Sequence, residues 1–478
     1  MATVSKEIFI NDFATMLRNG SAAVFAGAGL SVAAGYVNWK GLLKPLADEL
    51  SLSLDVEHDL VKVAQYHVNR HSNRHDLEQR ILNEFAGKQT QVTDSHRILA
   101  RLPVGVYWTT NYDRTIERAL EDAGKVADVK FEQSQLPHTV TGRDAVVYKM
   151  HGDCGSAASA VLAKQDYEKY HLTRGDFLTA LSSDLLSRTF LFIGFSFSDP
   201  NMDYVLSRMY AKHDTSQKKH YCLLARETEI EGESPEAFAY RKAKQEFFIR
   251  DLQRYNIRVV MLDSYDDVPN VLKAIEWKFK SRNVFVSGAA HEYGIFPEPE
   301  ALDFVHKLGS GLIAKDNRMV TGLGLGIGST LLDGALQHIY RVQKRVLRDQ
   351  VVIRPFPQGV AAEQIWPVYR SDMLDFAGIA IFMFGNKLNK ENNQVVLSDG
   401  VIKEFEIAVG KGIKVLPLGF TGYAAKQIYD RVAASFHTFY PTATSKFCQL
   451  FADLGNDSKP LDDQRRTFFD ALAELENM

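Results

Sequence analysis

Cysteine is scarce in this chain of 478 residues, which has only three: Cys154, Cys222 and Cys448. They lie too far apart to form the Cys-x-x-Cys pairs of a structural zinc module. An odd and sparse set also does not suit a disulfide framework, so we expect a protein of a reducing compartment.

The chain also lacks an excess of either charge, because 56 Lys and Arg residues face 59 Asp and Glu residues for a net charge of −3. This balance gives no electrostatic reason to expect nucleic acid or an acidic membrane as a partner. No apolar run approaches the ~18 residues of a membrane span. The first residues, MATVSKE, lack the basic region and apolar core of a signal peptide. We therefore expect a soluble, cytoplasmic protein.

Short apolar runs do alternate with helical stretches, twice along the chain, which predicts two Rossmann-like α/β domains with parallel sheets. The pattern starts afresh at Asn283, so the predicted domains are 1–282 and 283–478. The segment from 444 onwards is expected to form two helices, 446–454 and 462–475. The predicted strands are 22–26, 106–110, 145–150, 189–195, 220–225 and 257–262 in the first domain, and 284–288, 318–322, 351–354, 379–384 and 414–418 in the second.

Glycine-rich or polar residues follow four strands of the first domain. The carboxyl ends of parallel strands meet at one edge of the sheet, which is where nucleotides bind in such folds. Glycines there let a backbone approach a pyrophosphate, and a helix N-terminus favours its charge. Each of the residues in these loops also has a purely structural interpretation without a bound nucleotide, as a helix cap, a buried histidine or an ordinary turn. The residues are Gly27, Ala28, Gly29 and Ser31 after the first strand, Asn111 and Asp113 after the second, His151 after the third, and Ser196 after the fourth.

In order and spacing these motifs resemble the sirtuin family over roughly residues 8–280. The resemblance implies cleavage of the nicotinamide–ribose bond of NAD+. It assigns Asn111 and His151 as catalytic residues, the second touching the ribose hydroxyls. It also implies that the remaining residues bind NAD+: Gly27, Ala28, Gly29 and Ser31 in the phosphate-binding loop, Asp113 beside the nicotinamide ribose, and Ser196 on a phosphate or the ribose.

Two departures from the deacylating sirtuins favour water as the acceptor. The four-cysteine zinc module is missing, and Gly-Tyr-Val-Asn-Trp stands at 35–39 in place of a Pro-Asp-Phe-Arg segment. We therefore expect an NAD+ glycohydrolase that releases ADP-ribose and nicotinamide, with NAD+ as substrate, no further cofactor and no metal. A protein deacylase, an ADP-ribosyltransferase and a non-enzymatic nucleotide sensor are the alternatives.

The second domain carries glycine at every second position from Gly322 to Gly328, a run that can form an anion-binding nest. This half resembles the SLOG superfamily over roughly residues 283–440. The Pro-Gly-Gly-x-Gly-Thr-x-x-Glu signature of its phosphoribohydrolases is replaced by Leu-Ser-Asp-Gly-Val-Ile-Lys-Glu at 397–404. That change favours a sensor over a second enzyme, with phosphoribohydrolase activity as the alternative.

A sirtuin-like half followed by a SLOG half resembles the effectors of the Thoeris anti-phage defence system. This resemblance implies a homo-oligomer, tetrameric or larger, that is activated by a cyclic ADP-ribose isomer made by a TIR-domain partner. Arg370 lies on a predicted helix where a lone arginine often faces solvent, and Glu404 is expected at a helix N-terminus. The implied signal-binding residues are Gly288, Gly322, Gly324, Arg370, Lys387 and Glu404.

Overall fold

The computed structural model divides by internal contacts into two compact units, Met1–Glu276 and Trp277–Met478. Each unit contains one parallel sheet with helices between the strands, which confirms the predicted α/β class. The domain boundary after residue 282 stays a prediction. The structure describes residues 3–57, 59–88, 90–213, 218–343, 350–357, 364–389 and 391–478.

The sheet of the first unit has eight strands in the order β1-β8-β7-β6-β2-β3-β5-β4, and all neighbouring strands are parallel. Strand order reverses beside β2, since later strands lie on both sides of it. Such a reversal opens a crevice at the carboxyl edge of the sheet, where ligands bind. The strands are β1 (Thr3–Val4), β2 (Ala22–Ala26), β3 (Val106–Thr109), β4 (Ala127–Lys130), β5 (Ala145–Lys149), β6 (Thr189–Ile193), β7 (His220–Ala225) and β8 (Ile257–Leu262).

The strands β2 and β6 are buried along their whole length, which explains why they read as continuous apolar runs. Strands β1 and β4 were not predicted, because segments of 2 and 4 residues are too short to show a period. Helix α1 was not predicted either, although its buried residues Phe9, Phe13 and Leu17 do follow a helical spacing. The helices are α1 (Lys6–Arg18), α2 (Ala28–Ala33), α3 (Trp39–Glu49), α4 (Leu60–His71), α5 (His75–Ile81), α6 (Asp94–Arg101), α7 (Thr115–Asp122), α8 (Lys164–Glu168), α9 (Tyr170–Thr173), α10 (Gly175–Ser187), α11 (Pro200–His213), α12 (Pro235–Arg254) and α13 (Val268–Lys280).

The second unit has a five-stranded parallel sheet in the order β11-β10-β9-β12-β15 and a separate antiparallel hairpin, β13 and β14. Its strand order reverses beside β9. The two predicted C-terminal helices are present as α20 and α21. The elements are β9 (Asn283–Ala289), β10 (Arg318–Thr321), β11 (Val351–Ile353), β12 (Ile379–Phe384), β13 (Asn386–Leu388), β14 (Val395–Leu397), β15 (Lys414–Pro417), α14 (Glu298–Ala314), α15 (Gly328–Gln337), α16 (Trp366–Asp375), α17 (Asp399–Gly410), α18 (Tyr423–Ala434), α19 (Phe436–Phe439), α20 (Ser445–Asp453) and α21 (Leu461–Glu476).

Among the helices of the described ranges, none combines the length and the apolar character needed to cross a membrane.

Candidate functional site

The four loops that carry the predicted NAD+-site residues follow β2, β3, β5 and β6. These strands are consecutive in the sheet, in the order β6-β2-β3-β5. The loops therefore lie side by side at the carboxyl edge, next to the point where strand order reverses. The fold thus brings the four sequence motifs to one region of the first unit.

The glycines after β2 are needed for a close backbone contact with the loop after β6. The N–H of Gly27 donates to the carbonyl of Ile193, and the N–H of Gly29 donates to that of Gly194, both at 2.9 Å. A Cβ on Gly27 would lie 2.5 Å from Cα of Phe195, and one on Gly29 would lie 2.8 Å from Cα of Gly194. The amides of Gly27 and Gly29 thus have acceptors within the protein, and the contact of this loop with a pyrophosphate stays a prediction.

Asn111 is fixed by its side-chain amide group. Its Nδ2 donates to the carbonyl of Gly27 at 2.9 Å and to Oγ of Ser31 at 2.8 Å, and its N–H donates to Oγ1 of Thr109. Because both amide hydrogens have acceptors, Oδ1 is the atom that Asn111 can offer to a water or a ribose hydroxyl. Ala28, the first residue of α2, is half-buried beside this network.

Asp113 accepts hydrogen bonds at both carboxylate oxygens, while its predicted place beside the nicotinamide ribose stays a prediction. Its Oδ2 accepts a hydrogen bond from Oγ of Ser31 at 2.5 Å, and its Oδ1 accepts the N–H of Thr115 at 2.9 Å, at the start of α7. The carboxylate is buried. Asp113 therefore caps a helix and also anchors Ser31, which in turn holds Asn111.

His151 is buried and pairs with Asp199, whose position directly before Pro200 at the start of α11 suits a helix cap. Nε2 of His151 lies 3.0 Å from Oδ2 of Asp199, and the edge of Tyr167 packs against the imidazole ring. The other oxygen of Asp199 accepts the N–H groups of Asn201 and Met202, so the cap is real as well. Burial by itself would raise the pKa of Asp199, but His151 and these hydrogen bonds hold it below its ordinary value.

Ser196 is exposed, and its Oγ lies 2.6 Å from Oγ of Ser198. The hydrogen bonds of the described residues do not connect it to Asn111 or to His151. Its predicted contact with a phosphate or ribose stays a prediction.

Lys149, at the end of β5, is a residue that the sequence analysis missed. It is fully buried, and its Nζ donates to Oδ2 of Asp153 and the carbonyl of Asp113 at 2.6 Å, to Oε1 of Glu117 at 3.0 Å and to the carbonyl of Tyr112 at 3.2 Å. Burial alone would lower the pKa of Lys149, but Glu117 and Asp153 raise it above its ordinary value. Its signal in the sequence is a lone lysine at the end of the apolar run Ala-Val-Val-Tyr-Lys.

In the second unit, the predicted glycines bring two strand ends into backbone contact. A Cβ on Gly324 would overlap the carbonyl oxygen of Gly288, one on Gly288 would lie 2.6 Å from the carbonyl oxygen of Met383, and one on Gly322 would lie 2.8 Å from the ring of Phe356. Within the same run Leu323 has a φ of 54°, which is rare for a residue with a side chain. These glycines are therefore required by packing whether or not a ligand binds.

Arg370 and Glu404 meet in the interior of the second unit. Nε of Arg370 lies 3.5 Å from Oε1 of Glu404, whose Oε2 accepts a hydrogen bond from Oγ of Ser287 at 2.5 Å. The guanidinium also lies over the rings of Phe356 and Trp366. Arg370 is only 8% exposed, so the alternative of a solvated helix face is wrong.

The expectation that Glu404 lies at a helix N-terminus is also wrong. Helix α17 begins at Asp399, which places Glu404 in its second turn. Burial raises the pKa of Glu404, although Ser287 and Arg370 act in the opposite direction. Lys387, on β13, is exposed and forms an ion pair with Asp399 instead of joining the buried group.

Comparison with known proteins matches each unit to a family. A SIR2-like domain matches residues 105–259, and the Sir2- and TIR-associating SLOG family matches residues 267–475. Proteins named NAD(+) hydrolase ThsA are similar over almost their full length. The one from Bacillus cereus (strain MSX-D12) is 45% identical over 98% of both chains, and the one from Acinetobacter baumannii (strain 532279) is 43% identical over 95% of both.

A third protein of that name, from Enterococcus faecium, is 38% identical over 94% of this chain and 95% of its own. These matches confirm the expected combination of a sirtuin-like and a SLOG half and the expected enzyme class. The chain belongs to the ThsA family of NAD(+) hydrolases.

Proposed function

We propose that Asn111 and His151 carry out NAD+ hydrolysis in the first unit, with Ser31 and Asp113 holding Asn111 in place. The observation that supports this most strongly is the convergence of the Asn111–Ser31–Asp113 network and the His151–Asp199 pair on neighbouring strand ends. Gly27, Ala28, Gly29 and Ser196 border the same edge and would bind the remainder of NAD+. Water is the acceptor in this reaction.

The chemistry requires a held ribose and a placed water. The bond between ribose C1′ and the nicotinamide nitrogen breaks, and its electron pair neutralises the pyridinium charge of the leaving group. Oδ1 of Asn111 orients the water whose oxygen bonds to C1′. The proton that this water loses is accepted by Nδ1 of His151, because the Asp199 carboxylate 3.0 Å from Nε2 favours the tautomer with its hydrogen on Nε2. ADP-ribose and nicotinamide are the products.

Asp199 is a positioning residue in this proposal, and Asp199→Asn tests it. An asparagine amide can donate to Nε2 of His151 and so favour the wrong imidazole tautomer. We therefore expect Asp199→Asn to lower kcat about 100-fold or more with little change in KM.

The pKa of Asp199 is lowered in the folded protein. The stabilising effect of the Asp199 carboxylate is therefore present above about pH 3.8 and is lost only as the pH falls through the pKa of the folded state.

The measurement is nicotinamide release against NAD+ concentration, together with urea unfolding at pH 5 and pH 7. Because Asp199 is ionised at both pH values, the difference in unfolding free energy between wild type and Asp199→Asn should be similar at pH 5 and pH 7. Asp203→Asn, on the first turn of α11, is a matched control that should leave kcat unchanged. Equal kcat in Asp199→Asn and wild type would contradict the positioning role.

We propose further that the second unit binds a cyclic ADP-ribose isomer made by a TIR-domain partner. Binding of this isomer switches on NAD+ hydrolysis in a homo-oligomer, tetrameric or larger. The activated enzyme then depletes cellular NAD+ in anti-phage defence. The buried Arg370–Glu404–Ser287 group supports this, because it joins a cation and a carboxylate at the reversal point of the second sheet. Arg370 and Lys387 suit phosphates, Glu404 suits a ribose hydroxyl, and Gly288, Gly322 and Gly324 let the backbone approach the ligand.

The test is NAD+ cleavage by the purified full chain with and without a panel of cyclic ADP-ribose isomers, with the assembly followed by analytical ultracentrifugation. We expect cleavage with one isomer only. Arg370→Ala should raise the isomer concentration for half-maximal activity at least about 100-fold, since it removes a charge-assisted contact in a buried site. Cleavage that is equal with and without every isomer would reject the gating and keep the enzyme.

Lys403→Ala is the matched control, because Lys403 is exposed on α17 and pairs with Asp399 outside the buried group. Its activation curve should match that of the wild type. A response to the isomer that survives unchanged in Arg370→Ala would reject the assignment of this site.

A further inference from the structure

Two histidines and a glutamate converge where helices α3 and α4 end. Glu49 is the last residue of α3, and His67 and His71 lie one helical turn apart on α4. Nε2 of His67 lies 3.0 Å from Oε2 of Glu49, and Nε2 of His71 lies 2.8 Å from Oε1. One ligand atom from each residue falls within 4.8 Å of the other two.

This set has the composition and spacing of a divalent metal site. Residues four apart on a helix share a face, which lets both imidazoles reach one ion. Imidazole nitrogens and a carboxylate oxygen are ligands that Zn²⁺ accepts at about 2.0–2.2 Å, and three protein ligands leave a fourth position for water. The imidazole rings of His67 and His71 are stacked with centroids 4.5 Å apart, and both Nε2 atoms face the carboxylate of Glu49.

The site is also accessible from solvent on one side and supported on the other. The side chain of Glu49 is 47% exposed and that of His71 is 30% exposed, whereas His67 is 1% exposed. An ion can therefore enter at Glu49 and be held against the buried imidazole. The alternative is a metal-free arrangement, in which Nε2 of His67 is hydrogen-bonded to Oε2 of Glu49 and Nε2 of His71 lies 2.8 Å from Oε1.

We propose that Glu49, His67 and His71 bind one Zn²⁺ or a similar first-row divalent ion and that the ion joins the C-terminal end of α3 to that of α4. The site is structural and separate from NAD+ hydrolysis, because none of its three residues contacts Asn111 or His151 through the hydrogen bonds and ion pairs of the described residues. Helices α3 and α4 pack in one apolar cluster with Tyr112, which follows Asn111 in the chain. The ion therefore stabilises the apolar cluster next to the loop that carries Asn111.

The first experiment is isothermal titration of ZnCl₂ into the tag-free, metal-stripped full chain, followed by urea unfolding with and without Zn²⁺. We expect one tight ion per chain. At a free Zn²⁺ concentration 100 times Kd, the unfolding equilibrium constant should fall about 100-fold. Visible absorption of the Co²⁺-loaded protein reports the coordination independently of activity.

His71→Ala and Glu49→Gln change partly exposed side chains and should fold, yet each should weaken Zn²⁺ binding at least about 10-fold. His75→Ala, an exposed histidine at the start of α5, is the matched control and should bind Zn²⁺ like the wild type. Absence of stoichiometric binding, or binding that is unchanged in both His71→Ala and Glu49→Gln, would overturn the proposal and leave the hydrogen-bonded interpretation.

Discussion

An Asn111→Ala variant is expected to release nicotinamide from NAD+ at least about 1000-fold more slowly than the wild type, with its fold intact. Asn111 is held by two hydrogen bonds from Nδ2, to Gly27 and to Ser31, so its Oδ1 is fixed in direction. Removal of one prearranged polar group at a reacting centre costs about 10²–10³-fold in kcat. Loss of the ordered water adds to this cost.

Asn111→Asp separates the roles of the two side-chain atoms. It keeps an oxygen at the Oδ1 position but replaces the donor that faces the carbonyl of Gly27 with an acceptor. Two oxygens without a hydrogen between them repel, so the side chain turns away and we expect activity almost as low as in Asn111→Ala. Ser31→Ala removes only one of the two anchors and should be affected less.

The measurement is steady-state nicotinamide release at saturating NAD+ in the presence of the activating isomer, with urea unfolding to show that each variant is folded. Asn69→Ala is the control, since Asn69 is exposed on α4 and its Oδ1 accepts a hydrogen bond from Gln65 of the same helix. If Asn111→Ala kept more than about a tenth of the wild-type rate, water placement by Asn111 would be wrong and His151 would have to act alone.

The positions of the predicted site residues followed from the sequence because strand ends carry them. Buried parallel strands such as β2 and β6 read as unbroken apolar runs, and the residue after each run must reach the carboxyl edge of the sheet. The sequence could not supply the partners, which come from distant segments. Asp199 meets His151, and Lys149 meets Glu117, only once the strands are placed side by side.

The errors in the second unit have a similar physical origin. Helix α17 does begin near Glu404, at Asp399, but Glu404 lies five residues after that start, in the second turn, and its side chain is buried. The sequence favours a solvent-facing Arg370, because a single arginine on an otherwise apolar helix usually points away from the core. Its burial depends on the rings of Phe356 and Trp366, and local sequence does not show that these approach the guanidinium.

Replacement of Lys149 with methionine should destabilise the first unit by about 3–5 kcal/mol, the usual cost of breaking a buried charge network by removing one partner. Methionine fills a similar volume but leaves the carboxylate of Glu117 without its cation and Asp153 with Arg114 as its remaining cationic partner. The carbonyls of Tyr112 and Asp113 lose a donor as well, which loosens the loop that carries Asn111. NAD+ hydrolysis should therefore fall together with stability.

The pKa of Lys149 is raised in the folded protein, so its contribution is complete at neutral pH and declines only as the pH rises above about 10.4. Urea unfolding at pH 7 measures the loss, and Lys62→Met, on the exposed side of α4, is the surface control. The double variant Lys149→Met/Asp153→Asn removes a charge of each sign and should be less destabilised than the two single effects added together. Additive losses would show that Lys149 and Asp153 stabilise the fold independently, and that the lysine holds the Asn111 loop through its backbone hydrogen bonds alone.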